Sequence, residues 1–255
     1  MRTILLGLAA TALTAIAGPA LAQDAPASDF TITGGATLTS DYRFRGISQS
    51  NKRFAVQGTL GVSHSSGFYV GTWGSSIDDY VAAGGDAEVD LYGGYKKTFN
   101  GTTVDVGLLY YYYPGSSEII PGYNSDFFEP YASLSHTFGP VSAKVGAAYA
   151  PKQHAIAFGR NNREDNLYLY GEGSVAVPNT PFTVSAHVGH NNGRSLLTFG
   201  LKDYWDWNVG AAYVWKNLTF GVSYVDTDMK DREAVGLNGR HIAKAGVLGS
   251  VAVSF

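Results

Sequence analysis

Read backward from Phe255 in steps of two, the end of the chain gives Val253, Val251, Gly249, Val247 and Ala245, while Ser254, Ala252, Ser250 and Lys244 fall between. One face is apolar and the other is not. A two-residue period is the signature of a strand, because successive side chains leave opposite faces of a sheet. The same alternation predicts twelve strands, at 30–42, 54–64, 68–77, 86–99, 102–113, 127–138, 141–150, 166–177, 182–190, 203–215, 218–226 and 243–255. Ten or fourteen result if one strand is split or merged wrongly.

The connections alternate in length. Ser65-Ser66-Gly67, Asn100-Gly101, Gly139-Pro140, Pro178 to Pro181 and Lys216-Asn217 are tight turns, and the remaining connections are longer and mostly polar. Asn-Gly is a strong hairpin signal, since both residues tolerate positive φ. Short turns on one rim and long loops on the other are the arrangement of an outer-membrane barrel, with an even strand number returning both termini to the periplasmic side. The expectation is therefore an all-β fold: a closed, antiparallel transmembrane β-barrel spanning residues 30–255.

The facing of individual strands follows. Val104, Val106, Leu108, Tyr110 and Tyr112 oppose Thr103, Asp105, Gly107, Leu109 and Tyr111; Val89, Leu91 and Tyr95 oppose Glu88, Asp90, Tyr92 and Lys96. Trp205, Trp207, Val209, Ala211, Tyr213 and Trp215 oppose Asp206, Asn208 and Gly210. Tyr110, Tyr112, Trp205, Trp207, Tyr213, Trp215 and the terminal Phe255 thus fall at strand ends, where an aromatic girdle meets the headgroup layers. Two places resist. Pro130 lacks an N–H inside a predicted strand, so that strand begins at Tyr131 or carries a bulge. Phe68 and Val70 oppose Tyr69 and Trp73, which leaves the facing of 68–77 open.

Composition narrows the picture. Arg2, the apolar stretch Ile4 to Ile16 and the small-x-small site Ala20-Leu21-Ala22 predict a signal peptide cleaved before Gln23, followed by a short periplasmic tail at 23–29. Past it no apolar run is long enough for a spanning helix, so a membrane location requires a closed barrel. Cysteine is absent, which removes thiolate nucleophiles and Cys-ligated metals, and the net charge of −3 has no basic cluster to suggest nucleic acid. The 32 glycines and 17 tyrosines depress helix formation. A soluble barrel or sandwich shares the two-residue period but turns its apolar side inward.

Leu38-Thr39-Ser40-Asp41-Tyr42-Arg43-Phe44-Arg45-Gly46-Ile47-Ser48-Gln49-Ser50, with Ala55-Val56-Gln57-Gly58, Gly67-Phe68-Tyr69-Val70-Gly71-Thr72-Trp73 and Glu88-Val89-Asp90-Leu91-Tyr92-Gly93-Gly94-Tyr95, resembles the TorF-type porins. The resemblance implies an outer-membrane pore in a Gram-negative bacterium and carries no catalytic or ligand-binding assignment.

If the facing holds, the interior carries Asp41, Glu88, Asp90, Asp105, Glu129, Glu172 and Asp206 against Arg43, Arg45, Lys96, Lys144 and Lys244. Such residues suit a narrow channel for passive diffusion of small polar solutes or ions, with a mildly cation-favouring stretch at Glu88, Asp90 and Asp105 near a basic patch at Arg43 and Arg45. Alternatively acids and bases pair and fill the lumen. His187 and His190, three apart on a strand, face opposite ways and converge on no metal. Ser185 and His187 share a face, so a barrel lipase or protease is the rival class, although no G-x-S-x-G elbow is present. A non-conducting structural or recognition barrel is the third. No cofactor is expected. The expected partners are outer-membrane lipid, lipopolysaccharide at the charged loops, and the barrel-assembly machinery at the strand ending in Phe255.

Overall fold

The computed structural model describes residues 28–116, 122–159, 161–236 and 239–255; the predicted signal peptide and most of the tail lie outside them. Twelve strands form the wall: β1 (Phe30–Thr39), β4 (Ala55–His64), β5 (Phe68–Ser76), β6 (Ala87–Phe99), β7 (Thr102–Tyr112), β8 (Phe127–Phe138), β9 (Val141–Gln153), β10 (Glu164–Ala176), β11 (Phe182–Asn192), β12 (Asp203–Trp215), β13 (Leu218–Thr227) and β14 (Gly246–Ser254). Each pairs antiparallel with its chain neighbour, and β1 pairs with β14 to close the barrel. Two further strands, β2 (Arg43–Phe44) and β3 (Ile47–Ser48), form a small hairpin of their own.

The wall strands run from 9 to 13 residues, against the roughly 9–11 that cross a bilayer when tilted. Closure leaves the sheet without a free edge, and the seam is bonded to its end: Gly34 and Phe255 exchange both backbone hydrogen bonds at 3.0 Å. A Cβ on Gly34 would meet the Phe255 ring at 2.5 Å, so a bare glycine lets the terminal ring lie across the seam.

Val104, Val106, Leu108, Leu134, Val145, Val184, Val209, Val222, Val247 and Val251 point outward and are exposed, which is the reverse of a soluble barrel. The same alternation settles β5: Phe68 and Val70 face out, Tyr69 and Trp73 in. Tyr110, Tyr112, Trp205 and Trp207 lie outside near the loop end of β7 and β12; Tyr213, Trp215 and Phe255 lie outside at the turn end. At the β6–β7 turn Asn100 and Gly101 both hold positive φ, 49° and 81°, as a two-residue hairpin turn demands.

The abundance of Tyr and Gly has a packing cause. On the inner face Tyr69 lies opposite Gly94, Tyr92 opposite Gly71, Tyr131 opposite Gly107 and Tyr170 opposite Gly146. In each pair the ring occupies the space a Cβ would take, with tyrosine atoms 2.3–2.6 Å from that position. The rings are therefore laid against the wall rather than standing in the lumen.

Strand β8 does not begin at Tyr131. It starts at Phe127 and passes through Pro130, whose register partner on β7 is Leu108. The ladder on the other side, with β9, begins only at Tyr131. The missing bonds are supplied by a side chain: the Gln153 amide donates to the Phe128 carbonyl at 2.8 Å and accepts from the Phe128 N–H at 3.2 Å. A glutamine thus stands in for a peptide unit where proline breaks the pairing.

Candidate functional site

The predicted strand 30–42 stops at Thr39 because the chain then turns into the barrel. Residues 40–54 dip into the loop end of the lumen and return to the rim at the exposed Arg53 and Phe54, and β2 and β3 form an inward hairpin whose tip is Arg45-Gly46. Both tip residues hold positive φ, 48° and 80°. A Cβ on Gly46 would sit 2.4 Å from Thr227 Cγ2 and 2.9 Å from Asp206 Cβ, so the tip is pressed against the wall at β12 and β13.

Arg45, buried to 3% exposure, holds the tip. Its Nη2 donates to both Glu129 oxygens at 2.8 and 2.7 Å, and its Nη1 donates to Asn166 Oδ1 at 3.0 Å. The Tyr204 hydroxyl donates to its carbonyl, and the guanidinium lies over the Phe44 and Tyr168 rings at 4.7 and 4.3 Å. Burial opposes the charge, but the adjacent Glu129 carboxylate more than offsets it and holds Arg45 above its ordinary range. Three wall strands are tied by one residue, β8 and β10 through the guanidinium and β12 through the backbone carbonyl.

Arg43 anchors the hairpin at its base. Its Nε pairs with Asp41 at 2.6 Å, and its Nη1 donates to the carbonyls of Gly46, Ile242 and Lys244. Ser48 Oγ donates to Asp41 as well, at 2.6 Å. Asp41, Arg43 and Arg45 are therefore lumenal, but on an inserted loop rather than on the wall. They form no free basic patch, because each guanidinium has a carboxylate of its own.

A chain of charges crosses four strands lower in the lumen. Lys144 Nζ lies 3.5 Å from Glu172, His187 Nδ1 lies 3.5 Å from Glu172, and His187 Nε2 lies 3.3 Å from Asp206. The Tyr168 hydroxyl is 2.8 Å from His187 Nε2. Both nitrogens of His187 thus face these partners, none of them Ser185. His190 faces outward, its ring 4.5 Å from that of Trp205. Near the turn end Lys96 and Asp105 are register partners, and the Tyr69 hydroxyl donates to Asp105.

Lys244 departs from the expectation. It lies in the loop before β14, which begins at Gly246; its side chain is 58% exposed and 3.7 Å from Asp231. Continuing the two-residue count past the start of the strand put it inside.

Glu88 and Asp90 remain. Both are buried on the inner face of β6. Glu88 accepts from the Tyr42 hydroxyl at 2.9 Å, with Tyr113 beside it. Burial, reinforced by Glu88 and Asp90, pushes the Tyr42 hydroxyl well above its ordinary range, so it donates as a neutral phenol. Asp90 Oδ1 is sealed from solvent with no hydrogen-bond partner among the described residues. No group of three or more His, Cys, Asp or Glu suited to a metal ion occurs among them.

A family model, Bacterial protein of unknown function (Gcw_chp), matches residues 23–255, and the chain belongs to that family. A search of curated proteins finds no match. Among solved structures the chain is similar to the NanC porin, with 14% identity over 88% of this chain and 99% of that one and a TM-score of 0.58. It is also similar to a structure from work on in-meso crystallization of membrane proteins, with 10% identity over 88% and 83% and a TM-score of 0.53. An outer membrane channel from Pseudomonas putida aligns over 91% and 99% at 11% identity, with a TM-score of 0.49. At these identities the likeness to the first two is one of fold.

Proposed function

We propose that this member of the Gcw_chp family is an outer-membrane channel through which small polar solutes or ions diffuse passively, with residues 40–54 as its constriction. The observation that carries the reading is the inverted wall: aliphatic and aromatic side chains outside, hydroxyl and charged side chains inside, and solvent reaching the inner face of the turn half at Thr59, Ser63, Lys96 and Asp105. The resemblance to TorF-type porins and the fold shared with the NanC porin support it.

In this reading residues 1–22 direct export and are removed, the turns face the periplasm, the loops meet lipopolysaccharide, and the strand ending at Phe255 presents itself to the assembly machinery. The inner set of seven carboxylates against Arg43, Arg45, Lys96 and Lys144 favours cations. Refolded mature protein in planar bilayers should give a small ohmic conductance, with a reversal potential of cationic sign across a KCl gradient. Absence of current sinks the channel; an anionic sign sinks the acidic filter.

The dry packing of the hairpin favours a second reading, a closed barrel that serves recognition. It predicts silence from the native protein and current once Arg45 and Glu129 are separated. The enzyme alternative draws less support, since His187 is engaged by carboxylates. Phospholipid or peptide hydrolysis lost in Ser185→Ala would favour it.

A further inference from the structure

The lumen contains one complete example of how it holds an organic cation. The Arg45 guanidinium is gripped by the Glu129 carboxylate and flanked by the faces of Phe44 and Tyr168. A few residues away the same ingredients recur without the cation. Glu88 and Asp90, two apart on β6, project to the same side. Tyr42 and Trp73 pack with ring centroids 5.3 Å apart, and Trp73 and Tyr111 are the register partners of Asp90 on β5 and β7. Tyr113 stands beside Glu88.

Resting on the channel reading, we propose that Glu88 and Asp90, with the rings of Tyr42, Trp73, Tyr111 and Tyr113, form a subsite for an organic cation bearing a guanidinium or alkylammonium group, at the level of the constriction.

Three observations carry this beyond an acidic cluster. Asp90 is 6% exposed and its Oδ1 has no hydrogen-bond partner among the described residues, an arrangement that costs free energy unless something donates to it. No Lys or Arg forms an ion pair with either carboxylate among the described residues, whereas the other buried lumenal acids Asp41, Glu129 and Asp206 all have a cationic or histidine partner. The neighbours of the pair are the aromatic side chains Tyr42, Trp73, Tyr111 and Tyr113, and aromatic rings attract a weakly hydrated organic cation. Two acceptor carboxylates also match a group with several N–H donors better than a single point charge.

Methylguanidinium titrated into the refolded mature protein in detergent, at constant ionic strength, should bind saturably and change Trp73 fluorescence, with potassium at equal concentration not competing. Asp90→Asn should weaken binding at least tenfold; since Asp90 Oδ1 makes no hydrogen bond among the described residues, the variant keeps its fold, which an unchanged heat-dependent gel shift verifies. Glu88→Gln should weaken it too. No saturable binding, or binding unaltered by Asp90→Asn, overturns the subsite. The channel reading is judged separately: binding without any current leaves the subsite standing and removes the channel, while KCl current with neither binding nor block by methylguanidinium does the opposite.

Discussion

The two ends of the lumen are built from the same alternating strands and differ in what is laid against their inner face. At the loop end the inserted hairpin covers Glu88, Asp90, Glu129, Asn166, Tyr168, Tyr204 and Asp206, all buried. At the turn end Thr59 is exposed and Ser63, Tyr69, Lys96, Asp105 and Tyr131 are only partly covered. Charge in the dry end is paired or hydrogen-bonded, because ionised groups out of water are costly, and Asp90 is the exception on which the proposed subsite rests. The wet end tolerates looser contacts and instead keeps its bore clear by laying tyrosine rings on glycine.

The sharpest way to break this contrast is to remove Glu129. Losing one partner of a buried ion pair costs about 3–5 kcal/mol, and here the loss falls on the hairpin rather than on the ladders. Glu129→Ala is expected to let residues 40–54 leave the lumen, raise single-channel conductance several-fold and expose Arg43 and Arg45 to trypsin. Arg45 and Glu129 replaced together should perturb the wall less than Glu129→Ala alone. A hairpin still protected from trypsin in Glu129→Ala would mean that Arg45 is not what holds the dry end.

A weaker push in the same direction comes from Gly46. Valine there must hold positive φ, at a cost of about 1–3 kcal/mol, and its Cβ collides with Thr227 and Asp206. Gly46→Val should open the channel partway while leaving the Arg45–Glu129 pair available, so its conductance should fluctuate between the native level and that of Glu129→Ala.

The turn end should answer in the opposite sense. A methyl group on Gly107 meets the Tyr131 hydroxyl oxygen at 2.3 Å, which the ring relieves by swinging into the bore, and the Gly93 carbonyl oxygen at 2.7 Å, which only a shift of the wall relieves. Gly107→Ala is expected to lower conductance modestly, to cost about 1–3 kcal/mol and to leave trypsin protection of the hairpin unchanged. Released protection would show that the two ends are mechanically coupled.

The contrast between the ends also marks what the sequence made legible. The wall was readable because a strand with lipid on one side and water on the other has to alternate; β12 begins and ends as that pattern predicts, and β8 keeps its period-two bounds although Pro130 argued for a start at Tyr131 or a bulge. Glu88, Asp90, Lys96, Asp105, Glu129, Lys144, Glu172 and Asp206 face inward for the same reason. The hairpin was not readable, because two-residue strands are too short to show a period and Arg-Gly is not a strong turn dipeptide. The only hint was the Phe44-Arg45-Gly46-Ile47 order, with an apolar residue on either side of a glycine-containing pair. Pairing was hidden too: Arg45 with Glu129 spans 84 positions, and only closure of the barrel and entry of the loop bring them together. Gln153 escaped notice because its role depends on a proline 23 positions earlier in a different strand.

The smallest expected effect concerns Lys244, which the period-two count places in the lumen and the structure places on the outer rim. Its ammonium is exposed and meets an exposed Asp231, a pair worth about 0–1 kcal/mol, while its carbonyl accepts from Arg43 whatever side chain it carries. Lys244→Gln should therefore leave stability, conductance and reversal potential within error of the native protein, whereas Lys96→Gln, which uncovers Asp105 inside the wet end, should shift the reversal potential further toward cations. A selectivity change in Lys244→Gln as large as that in Lys96→Gln would extend the charged path beyond the hairpin to the rim, and the dry end would then be one station along it rather than its outer limit.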